Sequence, residues 1–301
     1  MKTTGLVFGL MIVPLLTTAS SRAADEDRHP RTDLLIEPTQ LAKPEVTKQY
    51  VILDARDGAK YKKSHVPTAV WVDHGNWAKA FDHGEDAEGW GKRIGELGIG
   101  PDTKVVVYDD VFSKDAARIW WVLRYWGVDD VRLLHGGWVG WQAGKHPTEE
   151  SGAAPSAVKF AAKARTERLA TKEQLLESLK SGKLQIVDAR TEGEFCGTEK
   201  LANKRAGAIP GAKQLEWIDL LEKETQRFKS PEDLRKLFNQ AGIALDKPTA
   251  THCQGGGRAA VMAFGMELMG AKDVSNYYPS WSEWGNADDT PVVPGKAKEK
   301  K

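Results

Sequence analysis

One cysteine of this sequence stands in a setting that favours reactivity. Cys253 follows a short predicted strand, Thr249–His252, and precedes an apolar stretch that predicts a helix, Ala259–Met269. The residues from the cysteine to the start of that helix are Cys253, Gln254, Gly255, Gly256, Gly257 and Arg258. Because glycines allow a backbone to curl with its N–H groups turned inward, this loop can surround a negatively charged atom.

The chemistry expected of this loop is nucleophilic. The inward N–H groups, the positive end of the following helix dipole and the charge of Arg258 all stabilise an anion. They would keep Cys253 ionised at neutral pH, and they would equally stabilise a persulfide or a bound oxyanion. We predict Cys253 as the catalytic residue, the four residues after it as the cradle, and Arg258 as a ligand for an anionic substrate. A buried structural cysteine beside a flexible turn is the alternative.

The length of the loop separates two reaction classes. A phosphatase or arsenate reductase with such a loop needs five residues between the cysteine and the arginine, so that a tetrahedral oxyanion fits. Only four residues separate Cys253 from Arg258. The smaller loop suits a single sulfur atom, which favours sulfur chemistry.

The chain repeats itself in order, which predicts two similar domains. Asp54-Ala55-Arg56 returns as Asp188-Ala189-Arg190, and Gly127–Val131 returns as Gly270–Val274. A period this long indicates a duplicated domain rather than a solenoid. The predicted parts are a first domain at 32–150, a linker at 151–166 and a second domain at 167–295.

Short apolar segments alternate with helical patterns in each copy. In the first copy Val51–Leu53, Val105–Tyr108 and Val131–Leu134 predict buried strands, and Ala116–Trp126 predicts a helix. This alternation predicts an α/β fold in which each domain has a mainly parallel sheet flanked by helices. Ligands of such sheets lie at the carboxyl ends of strands, where the Cys253 loop begins.

The first copy has no counterpart of the reactive cysteine. Aligning the two copies places Asp110 opposite Cys253, in a loop without glycines. A carboxylate cannot carry sulfur and repels an anion. We therefore expect one active site in each chain, in the second copy.

The motifs resemble those of the tandem-domain rhodaneses, the thiosulfate and 3-mercaptopyruvate sulfurtransferases, over nearly all of the predicted mature chain. The motifs that carry the resemblance are Asp188-Ala189-Arg190, Ile209-Pro210-Gly211-Ala212, the Cys253–Arg258 loop and Ser280–Gly285. The resemblance implies two rhodanese-like domains, the first catalytically silent and the second catalytic. It also implies double displacement, in which Cys253 takes a sulfane sulfur from an anionic donor and its persulfide passes the sulfur to cyanide or a thiol.

The resemblance further implies substrate-binding arginines and no metal or organic cofactor. Arg190 matches the family's substrate-binding arginine, Arg258 closes the loop, and Arg205 is a weaker candidate whose alternative is a surface ion pair. At position 255 mercaptopyruvate-type loops generally have serine and eukaryotic thiosulfate-type loops have lysine, but this chain has Gly255. Since Arg258 supplies the charge instead, thiosulfate is the favoured donor. The alternatives are 3-mercaptopyruvate as donor, and a relay module that hands one persulfide to a protein partner without multiple turnover.

The N-terminus predicts export. Lys2 precedes a short apolar segment, and Ser21-Arg22-Ala23 places small residues where a signal peptidase cleaves. We predict a signal peptide at 1–23 and a periplasmic or secreted protein without membrane contact after cleavage. The formal net charge of +1, from 43 basic and 42 acidic residues, gives no indication of nucleic-acid binding. Two cysteines exclude a disulfide framework.

Overall fold

The computed structural model describes Met1 and residues 28–81, 84–152 and 154–295. The predicted signal peptide, apart from Met1, therefore lies outside the described residues. None of the helices in these ranges combines the length and apolar character that a membrane crossing requires.

The first domain is built on a parallel sheet of five strands. The strands are β1 (Leu35–Ile36), β2 (Tyr50–Asp54), β3 (Val70–Trp71), β4 (Lys104–Tyr108) and β5 (Val131–Leu134). Their order across the sheet is β1-β5-β4-β2-β3, and every pairing is parallel. The helices around it are α1 (Pro38–Leu41), α2 (Pro44–Thr47), α3 (Gly58–Lys63), α4 (His74–Ala80), α5 (Ala87–Glu96), α6 (Lys114–Tyr125) and α7 (Gly137–Ala143), with a 3₁₀ turn at Thr32–Leu34. The strands and the helix predicted from apolar patterning are confirmed, with bounds shifted by one or two residues.

The second domain repeats this arrangement with four strands. They are β6 (Gln185–Asp188), β7 (Lys213–Gln214), β8 (Thr249–His252) and β9 (Val274–Asn276), in the order β7-β6-β8-β9, again all parallel. The helices are α8 (Lys172–Ser181), α9 (Glu192–Cys196), α10 (Pro231–Gln240), α11 (Gly257–Leu268) and α12 (Ser280–Trp284), with 3₁₀ turns at Thr166–Arg168 and Trp217–Leu220. The place of β1 is taken by one parallel bridge between Leu169 and Asn276. The two sheets confirm the predicted α/β fold and its duplication.

The domains meet where α6 packs against α11. Trp120 and Phe264 contact edge to face with their ring centroids 4.9 Å apart. A buried ion pair of 2.7 Å joins Arg168 to Glu267 in the same region. All of α11 except Arg258 is buried, because its own sheet covers one side and α6 another. An apolar helix of this kind is stable only when it is enclosed, so the first domain completes the core of the second.

The predicted linker is fastened to the first domain. The backbone N–H groups of Val158 and Lys163 donate to the carbonyls of Gly95 and Trp126, at 3.0 and 3.1 Å. A methyl group at Gly95 would lie 2.2 Å from the Val158 carbonyl oxygen, so only glycine permits this approach. The segment therefore adds to the surface of the first domain rather than swinging between the two.

Candidate active site

Cys253 occupies the carboxyl end of β8, between the ends of β6 and β9. Cys253 is only 1% exposed to solvent. Helix α11 follows as the sequence predicts, but it begins at Gly257, two residues before the predicted start at Ala259. The structure thus brings the thiol to the end of the sheet at which ligands of α/β proteins bind.

Ser280 fastens the loop at two points. The backbone N–H groups of Cys253 and Gly256 donate to Ser280 Oγ, at 3.1 and 3.2 Å. The Ser280 hydroxyl donates in turn to the Tyr277 carbonyl, at 2.7 Å. Ser280 is buried and has a φ of +57°, a strained conformation for serine that the two hydrogen bonds help to maintain. Sequence reasoning used Ser280 only as part of a family motif and missed this role.

Replacing Ser280 with alanine is expected to lower kcat/KM about tenfold or more. The substitution leaves two buried N–H groups of the loop without their acceptor, which costs about 1–3 kcal/mol per group. Ser282 is the matched control, because its hydroxyl donates only to the Pro279 carbonyl at 2.5 Å on the exposed side of α12. Steady-state kinetics of both variants test this role, and equal activity of Ser280→Ala and Ser282→Ala would contradict it.

The three glycines of the loop differ in how much space a methyl group would have at each position. Gly256 has a φ of +80°, and a methyl group there would lie 2.7 Å from the Tyr278 ring. A methyl group at Gly257 would lie 2.5 Å from an Arg118 nitrogen, the movable end of a side chain. A methyl group at Gly255 meets nothing within 4 Å. The loop conformation therefore depends most on Gly256.

The Gln254 side chain ties the loop to the segment before the Ile-Pro-Gly-Ala motif. Its amide exchanges two hydrogen bonds with the amide of Asn203, at 2.9 and 3.1 Å. The backbone carbonyl of Gln254 accepts a hydrogen bond from the Ser282 backbone N–H at 3.0 Å. Gln254 thus contributes to the predicted cradle by anchoring its backbone.

Arg258 forms a two-pronged ion pair with Glu194. Its terminal nitrogens lie 2.6 and 2.8 Å from the two carboxylate oxygens. Burial has the largest single effect and raises the pKa of Glu194, but the hydrogen bonds and charge of Arg258, together with the Thr191 backbone and the charge of Arg190, outweigh it and lower the pKa overall. Burial disfavours the charged form of Arg258, yet Glu194 and the nearby Cys253 raise its pKa overall. The positive charge predicted beside the thiol is present, and a carboxylate partly balances it.

Arg190, two residues after the end of β6, is 1% exposed. Its guanidinium donates to both Asp188 oxygens and, at 2.8 Å, to the Gly207 carbonyl, while its carbon lies 4.2 Å from the Trp281 ring centre. In the silent domain Arg56 repeats this arrangement, with bonds to Asp54 and to a carbonyl, and a Trp138 ring 3.9 Å away. The recurrence favours a structural role for Arg190 over the predicted contact with substrate.

The Arg205 guanidinium also has protein partners, all of them after the start of α12. Its guanidinium donates to the carbonyl oxygens of Trp284, at 2.7 Å, and of Ala287 and Thr290. These carbonyls lie at and after the end of α12, where a helix leaves acceptors unsatisfied. In this geometry Arg205 caps the turn after α12 rather than forming a surface ion pair, and its contact with substrate stays a prediction.

His252 is the residue before the nucleophile, and it is fully buried. Its Nε2 lies 3.4 Å from an Asp188 oxygen. Burial is the main cause of a lowered His252 pKa of about 4, although Asp188 opposes the shift. The imidazole is therefore neutral at pH 7, consistent with a supporting role.

This buried imidazole predicts that stability falls with acid. Between about pH 6.5 and pH 4 the unfolded chain binds a proton at His252 that the folded chain does not, so the contribution of His252 to the free energy of unfolding decreases over that window by roughly 3 kcal/mol. Asp109, whose pKa burial raises to about 6, has the opposite effect in the same window, so the effect of His252 is measured as a difference between variants. Urea unfolding at pH 7 and pH 5 measures the decrease, with His29→Gln as background because burial also lowers the His29 pKa. Adding His252→Gln to that background should flatten the dependence, and an unchanged slope would contradict the assignment.

The silent domain fills its own loop with a carboxylate. Strand register pairs Tyr108 with Asp54 as it pairs His252 with Asp188, so Asp109 is the structural counterpart of Cys253. The four N–H groups that donate to the Asp109 carboxylate, at 2.8–3.0 Å, belong to Val111, Ser113, Asp115 and Ala116.

The expectation that Asp110 stands opposite the cysteine is therefore wrong by one residue. The first loop is one residue longer than the second, since α6 begins at Lys114 and α11 at Gly257. Asp110 instead pairs with Lys60, at 2.6 Å. The prediction that the first domain has no active site does not depend on this difference. Asp109 is also a carboxylate, and it accepts the four N–H bonds that an anionic substrate would otherwise need.

A residue of the first domain reaches the catalytic loop. Arg118 on α6 donates to the Gly255 carbonyl at 2.9 Å and to the Tyr278 hydroxyl at 2.8 Å. Sequence reasoning missed this residue. Its signal is a charge within an amphipathic helix at the position where the second copy has Val261.

Comparison with known proteins places this arrangement in a family. The rhodanese-like domain model matches residues 37–144 and 171–287. Thiosulfate sulfurtransferase of Mus musculus is 35% identical over 234 residues, 75% of this chain and 78% of that protein. The Pseudomonas aeruginosa thiosulfate sulfurtransferase is 33% identical over 86% of this chain and 96% of that protein. Human 3-mercaptopyruvate sulfurtransferase is 34% identical over 77% and 80%, respectively.

Solved structures share the fold. The wild-type structure of EanB matches 90% of this chain and 71% of its own, with a TM-score of 0.80 and 23% identity. An anaerobic ergothioneine biosynthesis enzyme from Chlorobium limicola matches with the same score and identity. At this identity the likeness concerns the fold alone. The family match in both halves and the sequence relatives together show that the chain belongs to the rhodanese-like domain family and is a rhodanese-type sulfurtransferase.

Proposed function

We propose that this sulfurtransferase takes its sulfur from thiosulfate through a persulfide on Cys253. The Cys253 thiolate attacks the outer sulfur of thiosulfate, the sulfur–sulfur bond breaks, and sulfite leaves with the bonding electron pair. The product on the enzyme is a Cys253 persulfide. An acceptor, cyanide or a thiol that is free or carried by a protein, then attacks the outer sulfur, and the Cys253 thiolate is released as the leaving group.

The observation that carries this proposal is the contrast between the two loops. In the first domain four N–H groups surround the Asp109 carboxylate, which shows that this fold builds an anion site at the end of its central strand. In the second domain Cys253 stands in the equivalent place, and the loop carries no acidic residue. Such a site favours both the thiolate and the persulfide anion.

Each predicted site residue then has a role in the proposal. Gln254, Gly255, Gly256 and Gly257 form the cradle of the persulfide. Arg258 supplies positive charge beside the sulfur and is positioned by Glu194. Arg190 holds the segment before the Ile-Pro-Gly-Ala motif through the Gly207 carbonyl, and Arg205 holds the turn that follows α12.

Two measurements on the protein lacking residues 1–23 test the donor and the turnover. Steady-state assays with cyanide should give a kcat/KM at least about tenfold higher for thiosulfate than for 3-mercaptopyruvate, since Gly255 adds no hydroxyl to the loop. Mass spectrometry after thiosulfate alone should show a gain of roughly 32 Da, one sulfur bound through the activated thiolate. A preference for 3-mercaptopyruvate would overturn the choice of donor, and sulfur loading without multiple turnover would support a relay instead.

We also propose that the protein is exported with loss of the predicted signal peptide. The supporting features are the basic start, the apolar segment and the small residues before the proposed cleavage point. Expression of the full chain in a bacterium, followed by fractionation and mass measurement, should recover a form starting near Ala24 in the periplasm. Full-length protein in the cytoplasm alone would contradict export.

A further inference from the structure

The basic side chains that the second domain brings to its loop already have partners. Arg258 pairs with Glu194 and Arg190 with Asp188. Arg205 is occupied by backbone carbonyls. Thiosulfate carries two negative charges and needs positive charge that no carboxylate neutralises. Positive charge beyond that of Arg258, which Glu194 partly balances, is therefore needed to bind the donor.

A cavity of about 390 Å³ lies against the loop between the two domains. The first domain lines it with Lys79, Phe81 and Arg118, and the second with Gly255 and Tyr278. The described residues around it include two basic side chains and no acidic one. The larger cavity of about 630 Å³ beside His135 differs, since Asp33 and Glu37 line it together with its arginines.

Both basic residues of the smaller cavity are free of carboxylate partners among the described residues. Arg118 bonds only to neutral acceptors, the Gly255 carbonyl and the Tyr278 hydroxyl. Lys79 lies in the last turn of α4 and is exposed. It has no ion pair with any residue that the structure describes. Phe81 and Tyr278 face each other with ring centroids 4.7 Å apart and form an apolar wall.

We propose that Lys79 and Arg118 of the silent domain bind the anionic group of the sulfur donor in this cavity. This inference rests on the proposed function and adds the residues that select an anionic donor. Arg118 also positions the loop, because the carbonyl that accepts its hydrogen bond belongs to Gly255. Among the described residues Lys79 makes no hydrogen bond to the loop, so we expect its effect to be electrostatic.

Steady-state kinetics with thiosulfate and cyanide test the role of Lys79. Lys79→Ala should raise the KM for thiosulfate roughly fivefold at low salt, and Lys79→Glu roughly tenfold or more, with kcat nearly unchanged. Added salt should reduce the difference from wild type, because exposed charges are screened. Lys62→Ala is the matched control, since Lys62 is an exposed lysine on α3 that does not line the cavity. An unchanged KM in Lys79→Glu would overturn the proposal.

Alkylation of Cys253 tests the same residues without assuming any donor. Iodoacetate and iodoacetamide react by the same displacement but differ in charge, so the ratio of their rates reports the potential at the thiol. With Cys196→Ser as background, Lys79→Glu and Arg118→Ala should each lower the iodoacetate-to-iodoacetamide ratio roughly threefold or more. Arg118→Lys should restore part of the ratio, because it keeps the charge.

The two experiments separate two kinds of failure. If wild type gives no turnover with thiosulfate but the alkylation ratio falls in Lys79→Glu, the anion site stands and the proposed donor is wrong. If turnover with thiosulfate is normal and neither KM nor the ratio responds, the function stands and the inference about Lys79 and Arg118 is wrong.

Discussion

Cys253→Ser is expected to abolish sulfur transfer, with a loss of at least about 10⁴-fold in kcat. A serine hydroxyl stays protonated at neutral pH and cannot form a persulfide. The substitution changes one buried atom and keeps the backbone bond from residue 253 to Ser280 Oγ, so the fold should be unaffected.

The control for this variant is Cys196→Ser. Cys196 ends α9, is partly exposed, and is the only other cysteine of the chain. It should retain turnover and the mass gain after thiosulfate, both of which Cys253→Ser should lose. Sulfur loading of Cys253→Ser at the wild-type level would show that the wrong thiol had been chosen.

Gly256→Ala is expected to lower kcat/KM by about 100-fold or more. Alanine at a φ of +80° costs about 1–2 kcal/mol, and its methyl group would collide with the Tyr278 ring at 2.7 Å. Tyr278 cannot yield easily, because it stacks on Trp121 and accepts a hydrogen bond from Arg118. The loop must therefore shift, which displaces the Gly256 N–H from Ser280 Oγ and alters the backbone around Cys253.

Gly255→Ala is the matched control. It places the same methyl group in the same loop, but nothing lies within 4 Å and φ is not positive. It should keep activity within a few fold of wild type and leave the free energy of unfolding nearly unchanged. Kinetics and urea unfolding of both variants provide the test, and equal losses would show that the two positions are not distinguished in the way that the geometry requires.

The first domain contributes to the structure around Cys253. Its α6 encloses α11, whose first turn carries the catalytic loop. The Asp109 carboxylate holds the loop before α6 by accepting hydrogen bonds from its backbone N–H groups. Arg118 extends from the same helix to the loop of the other domain. The first domain thus supports the loop that holds Cys253, while Cys253 itself belongs to the second domain.

The sequence by itself determined the features that depend on local chemistry and periodicity. Apolar segments placed the central strands, because a parallel strand is buried on both faces. The order of repeated motifs gave the duplication. The glycine-rich loop between Thr249–His252 and an apolar helix predicted Cys253 as the nucleophile, since its residues are contiguous in the chain.

Tertiary structure alone decided which charges remain available for a substrate. Arg258 meets Glu194 across 64 residues of chain, and Arg118 meets Gly255 across 137. No local sequence pattern predicts either contact, because each arises from how helices pack on and between the sheets. The one-residue difference between the two loops was likewise hidden, since a single insertion changes the register of equivalent side chains without changing the pattern of strands and helices.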